Sequence, residues 1–168
     1  MKSIDTPYLL KRILPSDWED YKTIRLEALH TNPDKFGSSY QKEVAYSDET
    51  WRTLLENESS AIFGLYYQGI LVGLTGVALY NGDHSKAILF SSFVKEEHRG
   101  KGLSKLFYAE RIAWARGKGC VAILVSHRAG NEVSKAANQR FGFQYTHSEQ
   151  VLWPDGVQDE ELMYTLIL

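Results

Sequence analysis

The chain has 168 residues, 43% of them hydrophobic and 24% charged, with a net charge of −2 and a pI near 6.2. That length buries a single core of ordinary size, and the composition excludes a disordered chain. The near-neutral balance excludes the overall basic field that draws proteins to nucleic acid or anionic membrane, and a lone cysteine, Cys120, excludes an internal disulfide framework.

The first predicted strand runs from Tyr8 to Leu14. Ser16 followed three residues later by Glu19 reads as a capping box opening a helix, with Trp18, Tyr21, Ile24, Ala28 and Leu29 on its apolar side. Asn32-Pro33 ends it. After a polar connection, Ser47 is placed to cap a second helix carrying Trp51, Leu54 and Leu55. Residues 61–80 contain no charge over a length that could span a bilayer. Gln68-Gly69 divides them, and the flanking runs are rich in Ile, Val, Phe and Tyr, so two strands joined by a short turn fit better than a membrane helix. Met1 to Pro7 is polar and short, unlike a secretory leader, and the expected location is the cytoplasm.

A strand containing Leu89, Phe90, Phe93 and Val94 comes next. Apolar spacing then becomes helical through Leu103, Leu106, Phe107, Ile112 and Ala113, to a stop at Gly117 or Gly119. A fifth strand at 120–126 takes Cys120 as a buried residue. A helix from Asn131 and final strands near 143–152 and 161–168 complete one domain over residues 1–168, without repeats or linkers. The expected class is α/β (α+β): a mixed, mostly antiparallel sheet of about seven strands flanked by about four helices.

The change of period falls on Arg99-Gly100-Lys101-Gly102-Leu103-Ser104. A helix starting near Leu103 offers free amide N–H groups and a partial positive charge, and Gly100 and Gly102 let main chain approach an anion without a Cβ in the way. Arg99 and Lys101 add full charges. A dinucleotide fingerprint starting at Gly100 needs glycine at position 105, which is Lys105, and no G-x-x-x-x-G-K-[ST] run occurs. What remains resembles the pyrophosphate loop of the GNAT superfamily of N-acetyltransferases, (Arg or Gln)-x-x-Gly-x-(Gly or Ala), with Ser104 in place of the last small residue. The run from Asn131 to Gly142-Phe143 resembles the family's second signature, Asn-x-x-Ala-x-x-x-Tyr-x-x-x-Gly-Phe. Asn131 and Gly142 also suit the N-cap and the C′ position of a helix of about ten residues.

The resemblance implies acetyl-CoA as co-substrate, with no metal. It places the pyrophosphate on Arg99, Gly100, Lys101, Gly102, Leu103 and Ser104, and the pantetheine along the main chain of Phe93 and Val94, where the fourth strand splays from the fifth. Asn131 belongs to the second signature and is carried into the cofactor site with it. Asn138 falls where family members carry a tyrosine that protonates the departing thiolate; an amide cannot act as that acid, so Asn138 is carried over as a binding residue. His127 and Tyr145 are the candidates for proton handling. The implied reaction is direct transfer of acetyl to a primary amine of a small molecule or peptide, with no nucleic acid or membrane partner and with the assembly state, homodimer included, left open. The stretch 153–161, with four acids and no base, would suit a cationic acceptor. The competing class, motivated by Asn138, is a non-catalytic acyl-CoA-binding or regulatory module.

Overall fold

The computed structural model describes residues 6–168. Seven strands form one sheet in the order β1-β2-β3-β4-β5-β7-β6. They are β1 (Tyr8–Arg12), β2 (Ser60–Tyr67), β3 (Ile70–Tyr80), β4 (Asp83–Val94), β5 (Ala122–Arg128), β6 (Gln144–Leu152) and β7 (Gln158–Ile167). All neighbours are antiparallel except β4 and β5, which run parallel. Five α-helices accompany them: α1 (Trp18–Thr31), α2 (Tyr40–Val44), α3 (Asp48–Glu56), α4 (Ser104–Gly117) and α5 (Glu132–Arg140). The expected class holds, with one more helix than foreseen.

Local chemistry explains most boundaries. The 61–80 run forms β2 and β3, joined through Gln68 (φ 51°) and Gly69 (φ 79°), a pair of positive-φ residues that suits a two-residue hairpin. No helix among the described residues is long and apolar enough to cross a membrane. Ser47 caps α3 by accepting from the Thr50 amide, and Asn131 caps α5 by accepting from the Ser134 amide. The capping box at Ser16 does not form. Pro15 initiates a 3₁₀ turn over Pro15–Asp17, so α1 starts at Trp18 without a side-chain cap and Glu19 falls one position early for the reciprocal bond. Helix α2, inside the expected polar connection, is capped by Ser39, which accepts from the Lys42 amide. Cys120 is buried but lies just before β5, and burial raises its thiol pKa.

Apolar side chains fill both faces. Helices α1 and α3 cover one face through Tyr21, Ile24, Leu29, Trp51 and Leu55, packed on Ile62, Leu74 and Phe93. Helix α4 covers the other, where Phe107 packs with Leu65 and Val72, and Tyr108 with Leu89, Val125, Phe143 and Tyr164. Two features of β4 position everything that follows. Its pairing with β5 covers only Lys86–Ile88 against Ala122–Leu124, after which the ladder stops. Its register with β3 slips between Gly76↔Phe90 and Leu74↔Phe93, leaving Ser91 and Ser92 opposite Thr75. This is a β-bulge, and the extra residue turns Phe93 toward α1 although Leu89 faces α4.

Candidate active site

Where β4 leaves β5, the chain makes a second 3₁₀ turn over Glu96–His98 and enters the glycine loop. Its start is anchored on the sheet: the Tyr8 hydroxyl bonds His98 Nδ1 at 2.7 Å, and the His98 ring stands 5.2 Å from that of Tyr67. Leu103 is buried against Phe107 and Leu65, so its side chain anchors the far end. Between these anchors Gly100 (φ 74°) and Gly102 (φ 72°) take left-handed backbone, and a Cβ on either would meet only open space. Glycine is required there by conformation, not by crowding.

The amides of residues 100–104 find no acceptor among the described residues, whereas the Arg99 amide is bound to Glu96 O and those of Lys105 and Leu106 close the first turn on Gly102 O and Leu103 O. Leu103, at the N-cap, makes no side-chain cap bond. Five consecutive unspent N–H groups at the positive end of a fourteen-residue helix form an anion cradle. The residues therefore fit a diphosphate. Lys101 Nζ lies 5.9 Å from the centre of the Tyr8 ring. Arg99 instead folds back, donating Nε–H to Val94 O at 2.7 Å.

That contact refines the strand edge. Lys95 donates its amide to Val72 O, so in the alternating ladder Phe93 also directs its main chain at β3, while Val94 directs its own away, into the gap beside β5. Phe93 is thus removed from the main-chain contacts expected of it. Val94 keeps its amide available, its carbonyl being held by Arg99.

The bulge lies inside the same gap, and Ser91 takes φ 60°, a conformation that costs a non-glycine residue about 1–3 kcal/mol. Two buried arginines meet it from opposite faces of the sheet. Arg25 of α1 binds Glu43 of α2 through both Nε and Nη2 at 2.9 Å and donates Nη1–H to Ser91 Oγ at 3.1 Å. Burial pushes the Glu43 carboxyl pKa up, but the hydrogen bonds and charge of Arg25 outweigh it, and the net displacement is below the ordinary range. Arg111 of α4, 3% exposed, donates Nη1–H to Ser92 Oγ at 3.2 Å and Nε–H to Phe107 O, and lies 5.0 Å over the Tyr108 ring. No carboxylate among the described residues pairs with it. Burial lowers its pKa to about 10. Desolvating a charge costs several kcal/mol, more than a cation–π contact of about 2 kcal/mol returns. Sequence reasoning missed both arginines, although each interrupts an apolar helix face: Arg25 sits four residues after Tyr21, and Arg111 four after Phe107.

Asn138 is buried on α5 and its Oδ1 accepts from the Tyr108 hydroxyl at 2.5 Å, leaving Nδ2 without a partner among the described residues. Tyr108 itself stacks on Phe141 with ring centres 4.2 Å apart. Asn131 spends its side chain on the α5 cap.

His127 and Tyr145 both adjoin Tyr164, in the β5-β7-β6 half of the sheet. His127 is buried, and its Nδ1–H donates to Arg128 O at 2.8 Å, which leaves Nε2 to accept the Tyr164 hydroxyl proton at 3.0 Å. Both ring nitrogens of this candidate for proton handling are thus hydrogen-bonded within the protein. Tyr145 is 54% exposed, with its hydroxyl on Ser148 Oγ.

The acidic stretch also differs from its sequence reading. Its missing base comes from β5: Arg128 binds Asp155 at 2.7 Å and Asp159 at 3.3 Å, donates to Asp34 O at 3.2 Å, and lies 5.1 Å over the Trp153 ring. The Asp155 carboxyl is held below the usual range, chiefly by its hydrogen bond to Arg128. Two of the four acids are thus neutralised in place. Elsewhere, a depression of about 310 Å³ between α1 and the β2–β3 hairpin, lined by residues such as Asp20, Glu27 and Lys95, lies outside this constellation.

The sequence profile of the Acetyltransferase (GNAT) family matches residues 14–143. The chain belongs to the GNAT acetyltransferase family. The fold agrees across the whole chain. A GNAT-family acetyltransferase of Streptococcus pneumoniae superposes with a TM-score of 0.80 at 16% identity, covering 96% of this chain and 99% of that one. A ribosomal-protein-alanine N-acetyltransferase of Brucella melitensis gives 0.79 at 20% identity, covering 95% and 99%. The yncA protein of Salmonella typhimurium, a putative acetyltransferase solved with its cofactor acetyl-CoA, gives 0.78 at 15% identity, covering 97% and 95%. No curated protein matches the chain by sequence. At these identities the neighbours carry the fold; the glycine loop is this chain's own.

Proposed function

We propose that this GNAT protein is an acetyl-CoA-dependent N-acetyltransferase that passes acetyl directly to a primary amine of a small molecule or peptide. The observation that carries the reading is the row of unspent amides at residues 100–104 on the positive end of α4. The neighbour solved with acetyl-CoA and the neighbour acting on a ribosomal-protein alanine support the same chemistry.

In this reading the amides of residues 100–104, with Lys101, hold the diphosphate, and the Val94 amide binds the pantetheine arm in the gap that β5 leaves open. Acetyl-CoA, when bound, supplies a thioester whose carbonyl carbon a neutral amine can attack, the C–N bond forming as the C–S bond breaks. Asn138 Nδ2, held in place by Tyr108, donates a hydrogen bond at the cofactor's sulfur end. No ionising acid is required there, because a thiol of pKa near 8.5 is a tolerable leaving group. A lysine-like amine of pKa near 10.4 must first shed a proton, at a cost of about 4 kcal/mol near neutral pH. With both ring nitrogens of His127 hydrogen-bonded, solvent water receives it, the exposed Tyr145 hydroxyl relaying a proton by giving up its own as it takes one. Acceptor selection belongs to the α1–α2 connection and the β6–β7 turn, which Arg128 ties together. The site is read as cytoplasmic and metal-free, without nucleic acid or membrane.

One observation favours a second reading, a non-catalytic acyl-CoA-binding module: Asn138 stands where an acid would. Thiol release measured with acetyl-CoA over polyamines, aminoglycosides, amino acids and peptides separates the two. The enzyme reading predicts turnover on at least one amine, rising with pH toward the pKa of that amine. Cofactor binding without turnover on any of them sustains the second.

A further inference from the structure

The two edges of the sheet are built differently. At one edge β1 is five residues long and carries Lys11 and Arg12; at the other β6 is nine residues long and carries no Lys, Arg or Pro. Short length, basic side chains and proline are the devices that keep an edge strand from pairing with another chain, and β6 lacks all three. Among the described residues it pairs only with β7, and seven of its nine residues are exposed, so its outer edge and both faces lie open. Its one register slip falls between Tyr145 and His147, which leaves 147–152 regular. The direction of the main chain there follows from the neighbouring ladder. Ala129 donates its amide to Glu160 O, so Glu160 is directed at β5 and, by alternation, Glu161 at β6. Glu149, opposite Glu161, therefore spends its main chain on β7, as Trp153 does in donating to Val157 O, while Ser148 and Gln150 turn their N–H and C=O groups outward.

We propose that the open edge of β6 is the interface for a second copy of this chain, the two β6 strands pairing antiparallel about a twofold axis at Ser148. The strand's own residues select both the occupant and the register. Pairing about a twofold axis keeps like faces together only when the axis passes through a residue. At Ser148 the two serines exchange main-chain hydrogen bonds, and His147 of each copy stands opposite Glu149 of the other, in the non-hydrogen-bonded pair where side chains approach most closely. An imidazole N–H thus meets a carboxylate twice across the axis. Both groups already share one face: His147 Nδ1 is bonded to Thr146 Oγ1 at 3.0 Å, and its Nε2 lies 3.5 Å from Glu149 Oε1 of the same chain. An axis at Glu149 sets two carboxylates against each other, and one at Gln150 sets Glu149 against Val151. Of the three, the Ser148 register alone is complementary in charge. The assignment is independent of the acetyl-CoA reading, since no residue of the glycine loop takes part.

Sedimentation velocity of the full chain over a wide range of concentration tests the interface, and the wild type is expected to show a monomer–dimer equilibrium. Gln150→Pro removes an outward N–H that β7 does not use, and it is expected to weaken the dimer by more than about 100-fold with the circular-dichroism spectrum unchanged. Two exposed charge variants give a second readout should the proline variant fail to fold. Glu149→Lys removes the carboxylate that His147 meets, and His147→Glu sets carboxylate against carboxylate; each alone is expected to weaken its own dimer by about tenfold or more. Mixed in equal amounts, the two are expected to associate about as tightly as the wild type, because every crossing in the mixed pair again holds a basic group against a carboxylate. A wild type that stays monomeric throughout would overturn the proposal, including one whose β6 edge takes up an acceptor peptide in place of a second copy. So would a dimer that survives Gln150→Pro, which would place the contact on another face, or charge variants that mixing does not rescue.

Discussion

The glycine loop and the β6–β7 turn are both polar, exposed connections, yet they treat their polar groups in opposite ways. Around 100–104 the main chain keeps its donors unspent, and its two positive-φ glycines hold them open. In the β6–β7 turn, Asp155 and Asp159 are consumed by Arg128, Asp155 also accepts from the Val157 amide, and Trp153 is buried beneath the arginine. One connection leaves its donors open, the other spends its charges on holding its own shape. Charge counted along the sequence does not show this difference, because four acids within seven residues stand out and five unspent amides do not.

The sharpest way to break this contrast is to fill the loop. Gly102→Glu puts a side chain on a residue at φ 72° and a negative charge where the diphosphate would lie. Coenzyme A affinity is expected to fall by more than about 100-fold, while the melting temperature drops by only a few degrees, because an L side chain at this φ costs about 1–2 kcal/mol although its Cβ meets no protein atom within 4 Å. Calorimetric titration beside a melting curve checks both halves, and unaltered affinity would count against the loop.

A smaller effect is expected from releasing the turn. Arg128→Met frees two carboxylates and cuts the tie to Asp34. Amide hydrogen exchange at 153–157 should quicken while coenzyme A binding holds, and kcat/KM for a polyamine should rise relative to a neutral-side-chain amino acid. Unchanged exchange would show that the turn is held by something other than Arg128.

The smallest concerns the support beneath the bulge. Glu43 has its folded-state pKa below its unfolded value, so the stability it contributes is present above the unfolded value, about 4.3, and is lost as pH falls through the folded one. The difference in Tm between wild type and Glu43→Gln should therefore be constant above about pH 5 and narrow below about pH 4. A gap that does not change with pH would mean that the Arg25 pair contributes no charge-dependent stability.

Local chemistry was legible in the sequence. Ser47, Asn131, the Gln68-Gly69 turn and the glycine loop each act through neighbours one to four residues away, and all form as their residue types dictate. Ser16 misled because Pro15 imposes its own turn first. The remainder depends on contacts between residues distant in sequence. The bulge at Ser91 has no residue signature of its own, and the partners of Arg25, Arg111 and Arg128 come from other elements of the fold. Only the intrusion of Arg25 and Arg111 into apolar helix faces hinted that they were buried, and nothing in the sequence named Ser91, Ser92 or Asp34 as the groups they hold. His127 shows the converse: its residue type invites a catalytic role, and only the fold reveals that its Nε2 is bonded to Tyr164, thirty-seven positions away.

Whether coenzyme A is held by main chain at the start of α4 can be read residue by residue from amide 1H–15N spectra recorded during a titration with the cofactor. The largest shifts are expected at Gly100, Lys101, Gly102, Leu103 and Ser104, moving together with one dissociation constant. Saturation of the protein with those five signals unmoved, and the shifts gathered elsewhere, would contradict the account.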